Sequence, residues 1–200
     1  MKRIGIIGGT FDPIHLAHLN IAKKAKERLN LDKVIFIPAG SQPLKIDKKV
    51  TRASLRFSMV EKAIEGYEGF EVSDYEIKKQ GLSYTFETLE HFRKEDEELF
   101  FITGADCLFN LEKWKNVKRI LELCTLVVLT RPGYDNEKLY KSKDYIEKKY
   151  NGEIIILELE GMDISSTKIR GLIKEGKNIS KLVTSEVFKL IKDNNLYMGD

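Results

Sequence analysis

Two hundred residues are ample for one hydrophobic core, and at about 100–200 residues per domain the chain predicts a single domain spanning 1–200. Thirty-four Lys and Arg stand against 31 Asp and Glu, and a net charge of +3 spread so widely argues against a nucleic-acid partner. Cys107 and Cys124 form no CxxC pair, and no apolar run is long enough for a signal peptide or a bilayer span, so a reducing cytoplasm with no membrane partner is expected.

In chain order, residues 3–7 predict a buried strand. Gly8-Gly9-Thr10-Phe11-Asp12-Pro13-Ile14-His15-Leu16-Ala17-His18 comes next, and Ile14, Ala17, Ile21, Ala25 and Leu29 recur at helical spacing. The order is strand, glycine turn, helix. Gly8 and Gly9 would let the backbone approach a ligand and take angles that a side chain forbids. The helix start offers unpaired N–H groups and the positive end of a dipole, where a phosphate-bearing ligand is expected. His15 and His18, two of the chain's three histidines, would share a helix face near that end. A plain Gly-Gly turn with two surface histidines is the alternative. Neither GxxxxGK[ST] nor GxGxxG is present.

Residues 34–38 predict a second strand. Residues 39–49 read as a loop, interrupted by Gly40, Ser41 and Pro43 and carrying Lys45, Lys48 and Lys49; length and composition mark it as a mobile segment. A helix opening at Thr51 or Arg52 aligns Leu55, Met59 and Ala63. A short strand at 70–73, weak alternation over 75–79 and a Gln80-Gly81-Leu82 turn precede a helix beginning at Ser83 or Tyr84. Residues 98–104 and 125–130 predict core strands, with two short helices over 105–114 and 117–123 between them. A charged helix at 137–150 and a strand at 153–159 follow. Ser165-Ser166-Thr167 and Thr184-Ser185-Glu186 cap the last two helices. Basic clusters such as Lys23-Lys24 and Lys148-Lys149 read as solvated helix faces.

Strands alternating with helices predict an α/β fold, a Rossmann-like, doubly wound and mostly parallel sheet with helices on both faces. Ligands of such sheets sit at the carboxyl ends of strands, near the switch in strand order. The Gly8-Gly9 turn, Pro38, Gly104-Ala105-Asp106 and Arg131-Pro132-Gly133 each follow a predicted strand and should line one edge. A second anion site is expected at residues 162–170, where Ser165, Ser166 and Thr167 bring hydroxyls and backbone N–H groups together and Lys168 and Arg170 add charge. A well-capped helix with a solvated arginine is the alternative there.

Residues 8–18 resemble the nucleotide-binding turn of the nucleotidyltransferases with an HxGH motif, relatives of the class I aminoacyl-tRNA synthetases, with Ala17 replacing the usual glycine. Residues 164–170 resemble their ISSTxIR motif, which cradles the phosphates of ATP. Residues 70–77, Gly81-Leu82-Ser83-Tyr84-Thr85, Gly104-Ala105-Asp106, Lys113-Trp114 and Arg131-Pro132-Gly133 are similar to the bacterial nicotinate-nucleotide adenylyltransferases. The resemblance implies transfer of the adenylyl group of ATP to nicotinate mononucleotide, giving deamido-NAD and pyrophosphate, with Mg²⁺ riding on the phosphates and no protein ligands to the metal. It assigns His15 and His18 to the α- and β-phosphates. Lys45 and Arg170, with the N–H groups of Ser165, Ser166 and Thr167, go to the β- and γ-phosphates. Gly8, Gly9, Thr10, Phe11, Gly104 and Asp106 would bind the nucleotide, Asp106 on the adenosine side. Tyr84, Thr85, Trp114 and Arg131 would hold the acceptor, with Trp114 stacking on the pyridinium ring. Core packing for Trp114 and helix capping for Asp106 are the alternatives. Gln42-Pro43-Leu44-Lys45 replaces the family's Pro-Pro-His-Lys, and Cys107 stands where serine is frequent. The alternative functions are an adenylyltransferase for nicotinamide mononucleotide or phosphopantetheine, and a non-catalytic ATP-binding sensor. No GxSxG elbow points to a hydrolase. A homo-oligomer is among the open assembly states.

Overall fold

In the computed structural model, residues 1–40, 50–79, 81–130, 136–160 and 162–198 are described. Among them, six strands form one sheet: β1 (Lys2–Gly9), β2 (Lys33–Pro38), β3 (Phe70–Val72), β4 (Glu97–Gly104), β5 (Cys124–Thr130) and β6 (Ile154–Glu158). Every pairing is parallel and the order is β3-β2-β1-β4-β5-β6. The chain runs outward from β1 to one edge, returns to β4 beside β1, and then runs to the other edge. The switch in direction opens a crevice beyond the carboxyl ends of β1 and β4.

Both faces of the sheet are buried, which is why its strands read as continuous apolar runs. Successive residues face opposite cores. Ile4, Ile6, Ile35, Ile37, Leu99, Phe101, Leu126 and Val128 pack into one core, whereas Ile7, Val34, Phe36, Phe100, Ile102 and Val127 pack into the other. The second core is covered by α1 (Leu16–Arg28), α2 (Ala53–Ile64), α8 (Ser166–Lys174) and α9 (Ser185–Asp193). The first is covered by α4 (Thr85–Phe92), α5 (Ala105–Phe109), α6 (Val117–Leu123) and α7 (Asn136–Tyr150). A single 3-10 turn, Leu111–Lys113, follows α5 in place of the continuous helix expected to Trp114.

Residues 75–79 do not extend the strand as their alternation suggested; α3 (Tyr75–Lys78) is one helical turn. Ser73 Oγ accepts the Tyr75 N–H at 3.2 Å, and the Lys78 ammonium returns to Asp74 at 2.7 Å, so local polar bonds override a weak period-2 pattern. Lys23, Lys24, Lys148 and Lys149 are exposed, as expected of solvated helix faces. No helix among the described residues is long and apolar enough to cross a membrane.

Candidate active site

At the carboxyl end of β1 the chain turns through Thr10–Pro13 into α1, and the residue in the left-handed region is Phe11, at φ +49°, rather than either glycine. A bulky residue rarely adopts that conformation. It drives the Phe11 ring inward, where it packs at 5.1 Å edge-on to His18 and at 5.9 Å from Phe36. Gly9 must lack a side chain because a Cβ there would lie 2.9 Å from the Phe11 ring. A Cβ on Gly8 would make only ordinary contact, 3.7 Å from Phe101. The expected need for unusual glycine angles is thereby corrected: the left-handed backbone is that of Phe11, whose ring is buried.

His15 occupies the N-cap position of α1 and His18 its third residue. Their rings stack at 3.7 Å with an interplanar angle of 22°. The His15 backbone N–H donates to His18 Nδ1 at 3.3 Å, which places the proton of a neutral His18 on Nε2. Burial lowers His15 to a pKa of about 4, and burial together with His15 lowers His18 to about 3. Both imidazoles are therefore neutral near pH 7, and each keeps one ring N–H able to donate a hydrogen bond. His15 Nδ1 is buried without a partner. The first N–H of α1, on Leu16, donates to the Leu182 carbonyl at 3.0 Å, so one of the anion-binding groups expected at this helix start is already engaged.

The second motif docks on the first. Ser166 Oγ donates to the Pro13 carbonyl at 2.9 Å, and Arg170 donates to the Asp12 carbonyl at 2.7 Å and to Thr167 Oγ1 at 3.3 Å. Ser165 caps α8, its Oγ accepting the Lys168 N–H at 3.2 Å, as the capping alternative had it. Ser165 and Thr167 are exposed. Lys168 pairs with Asp163 at 2.6 Å, leaving Arg170 as the cation that joins the two motifs.

Beyond β1 and β4 lies a cleft of about 710 Å³, within the usual size of small-ligand sites. Gly8, Gly9, Thr10, Asp106, Tyr84, Thr85 and Trp114 all line it. Gly104 supplies the N-cap of α5, with Asp106 in the first turn. Trp114 is half-buried and meets Phe101 edge-on at 6.0 Å, so it is neither wholly core nor free surface. Tyr84 stands at the N-cap of α4 without a side-chain cap, which leaves that helix start open to a carboxylate. Lys115 Nζ lies 4.1 Å over the Tyr84 ring. Lys79 is tied to Glu87 and to the Leu82 carbonyl, and so braces the same wall. Lys45, Arg131 and the segment expected to be mobile, apart from Ala39 and Gly40, lie outside the described residues.

Three supporting residues escaped sequence reading. Arg56 is 3% exposed and donates to the carbonyls of Thr51 (2.9 Å), Thr10 (2.7 Å) and Ala39 (2.8 Å), holding the nucleotide turn, the exit of β2 and the approach to α2 together. Its signal was a charge beside Met59, Val60 and Ala63 on an apolar helix face. Glu76 accepts from Thr88 Oγ1 at 2.8 Å, and burial raises its pKa. A Cβ on Gly40 would lie 2.1 Å from the Glu76 carbonyl oxygen, so β2's exit and α3 touch backbone to backbone. Tyr197 donates to Asp12 Oδ1 at 2.6 Å across 185 residues, a contact no local pattern announces.

Comparison with known proteins gives a consistent result. The profile of the cytidylyltransferase-like family matches residues 6–172. A probable nicotinate-nucleotide adenylyltransferase of Clostridium botulinum (strain Eklund 17B / Type B) is 57% identical over 197 residues, covering 98% of each chain. Another from Clostridium beijerinckii is 57% identical over 203 residues, covering 98% of this chain and 100% of its own. The solved structure of a Plasmodium falciparum nicotinic acid mononucleotide adenylyltransferase complexed with NaAD superposes with a TM-score of 0.80 at 18% identity, covering 98% of both chains, a likeness of fold.

Proposed function

Because this chain belongs to the cytidylyltransferase-like family, and within it to the nicotinate-nucleotide adenylyltransferases, we propose a division of labour among its residues for the reaction that membership brings. The enzyme transfers the adenylyl group of ATP to nicotinate mononucleotide, giving deamido-NAD and pyrophosphate. The acceptor phosphate is already an anion near neutral pH and attacks the α-phosphorus in line, so no protein base is required; positioning and charge stabilisation carry the catalysis. Neutral His15 and His18 donate to the α- and β-phosphates. Arg170, the open start of α8 and Lys45 take the β- and γ-phosphates. Gly8, Gly9, Thr10, Gly104 and Asp106 receive the nucleotide. The start of α4 at Tyr84-Thr85 meets the pyridine carboxylate, Trp114 stacks on the ring, and Arg131 completes the acceptor side.

The observation that carries this reading is the docking of the ISSTKIR helix on the GTFDP turn, through Ser166 on Pro13 and Arg170 on Asp12, beside a cleft whose far wall is an uncapped helix start with a tryptophan. Mg²⁺ is assigned to the phosphates of ATP, since it usually keeps waters and substrate oxygens as ligands, and there it would neutralise charge on the leaving pyrophosphate. The single sheet supports one domain over residues 1–200, and the free thiols of Cys107 and Cys124 suit a reducing cytoplasm.

Pyrophosphate release with Mg-ATP and, separately, nicotinate mononucleotide, nicotinamide mononucleotide and phosphopantetheine tests the assignment. Strong preference for the nicotinate acceptor is expected. Preference for another acceptor would discard the Tyr84-Thr85-Trp114 pocket, and ATP binding without pyrophosphate release would point to a sensor.

A further inference from the structure

Asp12 lies in the nucleotide turn yet has no role in the transfer described above. It is 5% exposed, and both carboxylate oxygens are engaged: Oδ1 accepts the Tyr197 hydroxyl at 2.6 Å, and Oδ2 accepts the Thr51 N–H at 3.3 Å. Its main-chain oxygen accepts from Arg170 at 2.7 Å. One residue thus ties the end of the chain, the approach to α2 and the phosphate-binding arginine to the turn. Charge-assisted bonds of this kind, from a neutral donor to a buried carboxylate, are stronger and more directional than neutral ones.

The partner at the other end is built for this contact. Tyr197 lies beyond α9 with φ +67°, and Asn195, two residues earlier, has φ +49°. A tyrosine rarely holds a left-handed backbone unless its surroundings over-determine it. Here the ring packs against the core that α1, α2, α8 and α9 cover, while the hydroxyl reaches Asp12. Burial, reinforced by the bond to Asp12, pushes the phenol upward from its ordinary pKa, so it stays a proton donor at any working pH. Arg170 itself spends one nitrogen on the Asp12 carbonyl at 2.7 Å and the other on Thr167 Oγ1 at 3.3 Å, so the shorter of the two bonds that orient its planar fork rests on that carbonyl.

We propose that Tyr197 is a positioning residue for adenylyl transfer: by holding the Asp12 carboxylate it fixes the carbonyl on which Arg170 rests, so the end of the chain orients the guanidinium that meets the phosphates of ATP. The inference rests on the assignment of Arg170 to those phosphates. Tyr197→Phe deletes only the hydroxyl and keeps the ring in the core.

The test measures ATP affinity by titration calorimetry, and KM for ATP and for nicotinate mononucleotide, in wild type, Tyr197→Phe, Arg170→Ala and the double variant. Tyr197→Phe is expected to weaken ATP binding and raise KM for ATP about five- to tenfold, a part of what a charge-assisted bond is worth because the effect reaches ATP through Arg170, while KM for nicotinate mononucleotide stays within about twofold. In the Arg170→Ala background the same change should alter ATP affinity by less than about twofold, because the group it positions is gone. Unchanged ATP binding in Tyr197→Phe overturns the proposal. So does an equal rise in both KM values, or the same loss of ATP affinity in the Arg170→Ala background, since either marks a merely structural role. Wild-type ATP affinity in Arg170→Ala alone would remove the phosphate assignment and the proposal with it, whereas a defective Arg170→Ala beside a normal Tyr197→Phe overturns the proposal only.

Discussion

His15 and His18 stack 3.7 Å apart and are held neutral by burial, with pKa values of about 4 and about 3. The same imidazoles titrate near 6.5 when unfolded. Between about pH 6.5 and 4 the unfolded chain therefore binds protons that the folded chain refuses. This part of the stability is present above pH 6.5 and is lost as pH falls through that window. For His15 alone the loss between pH 7 and 5 is on the order of 2 kcal/mol. Unfolding free energies from urea titrations at the two pH values should differ by at least this amount in wild type, because the shift of His18 acts in the same direction, and by much less in a His15→Asn/His18→Asn protein. On activity, His18→Ala should lower kcat by roughly 10²–10³ or more, the usual cost of a well-placed donor, with an unchanged circular dichroism spectrum. Near-normal turnover would refute its role. Arg56 acts on stability instead. Arg56→Met leaves three carbonyls from three segments without their shared donor, and about 3 kcal/mol or more should be lost in urea unfolding. Arg56→Lys, with a single ammonium, should not restore it.

At the scale of elements, the proposed division of labour assigns recognition to helix starts. The start of α8 faces two demands: capping by Ser165 and docking by Ser166 on Pro13. Ser166→Ala should cost about 1 kcal/mol of stability and raise KM for ATP while leaving KM for the acceptor unchanged. At the other wall, Trp114→Ala should raise KM for nicotinate mononucleotide roughly 3- to 30-fold with little effect on ATP, the range a cation–π contact supplies. These two variants separate the subsites, and a Trp114→Ala defect confined to ATP would reverse their assignment. The ends of elements were legible where a local signal existed. Ser165 and Thr184 cap α8 and α9 as their sequence pattern indicated. Tyr75–Lys78 was not legible, because a four-residue turn is decided by bonds from Ser73 and Asp74 and by stacking of Tyr75 on His91 at 3.9 Å.

Across the whole molecule, the parallel sheet sets one edge apart for chemistry, and ligands bound there should stabilise both halves of the fold together. ATP with Mg²⁺ at about 100 times its dissociation constant should add roughly 2.7 kcal/mol. For a chain of this length that corresponds to about 5–11 °C in thermal midpoint. Because Arg170 and Tyr197 tie α8 and the chain's end to the nucleotide turn, the shift should appear as one transition, not as a separate stabilisation of part of the chain. A calorimetric trace that splits on adding ATP would contradict that coupling.

The strand ends and the edge they share follow from patterns that are local: apolar runs broken by glycine, proline or a capping hydroxyl mark where β1, β2, β4 and α8 end or begin, and the parallel α/β rule places those ends on one edge, whereas the strand order β3-β2-β1-β4-β5-β6 belongs to the tertiary structure. Residue chemistry written in a contiguous motif, such as GTFDPIH or ISSTKIR, is legible for the same reason. What only the tertiary structure decided is everything that depends on separation in sequence becoming proximity in space. The left-handed strain falls on Phe11 because its ring has a core to enter, formed with Phe36 and His18. Both histidines lose their charge because the fold buries them. Arg56, Glu76 and Tyr197 gain their roles from bonds that reach 46, 12 and 185 residues along the chain, and no periodic or capping pattern announces such a pair.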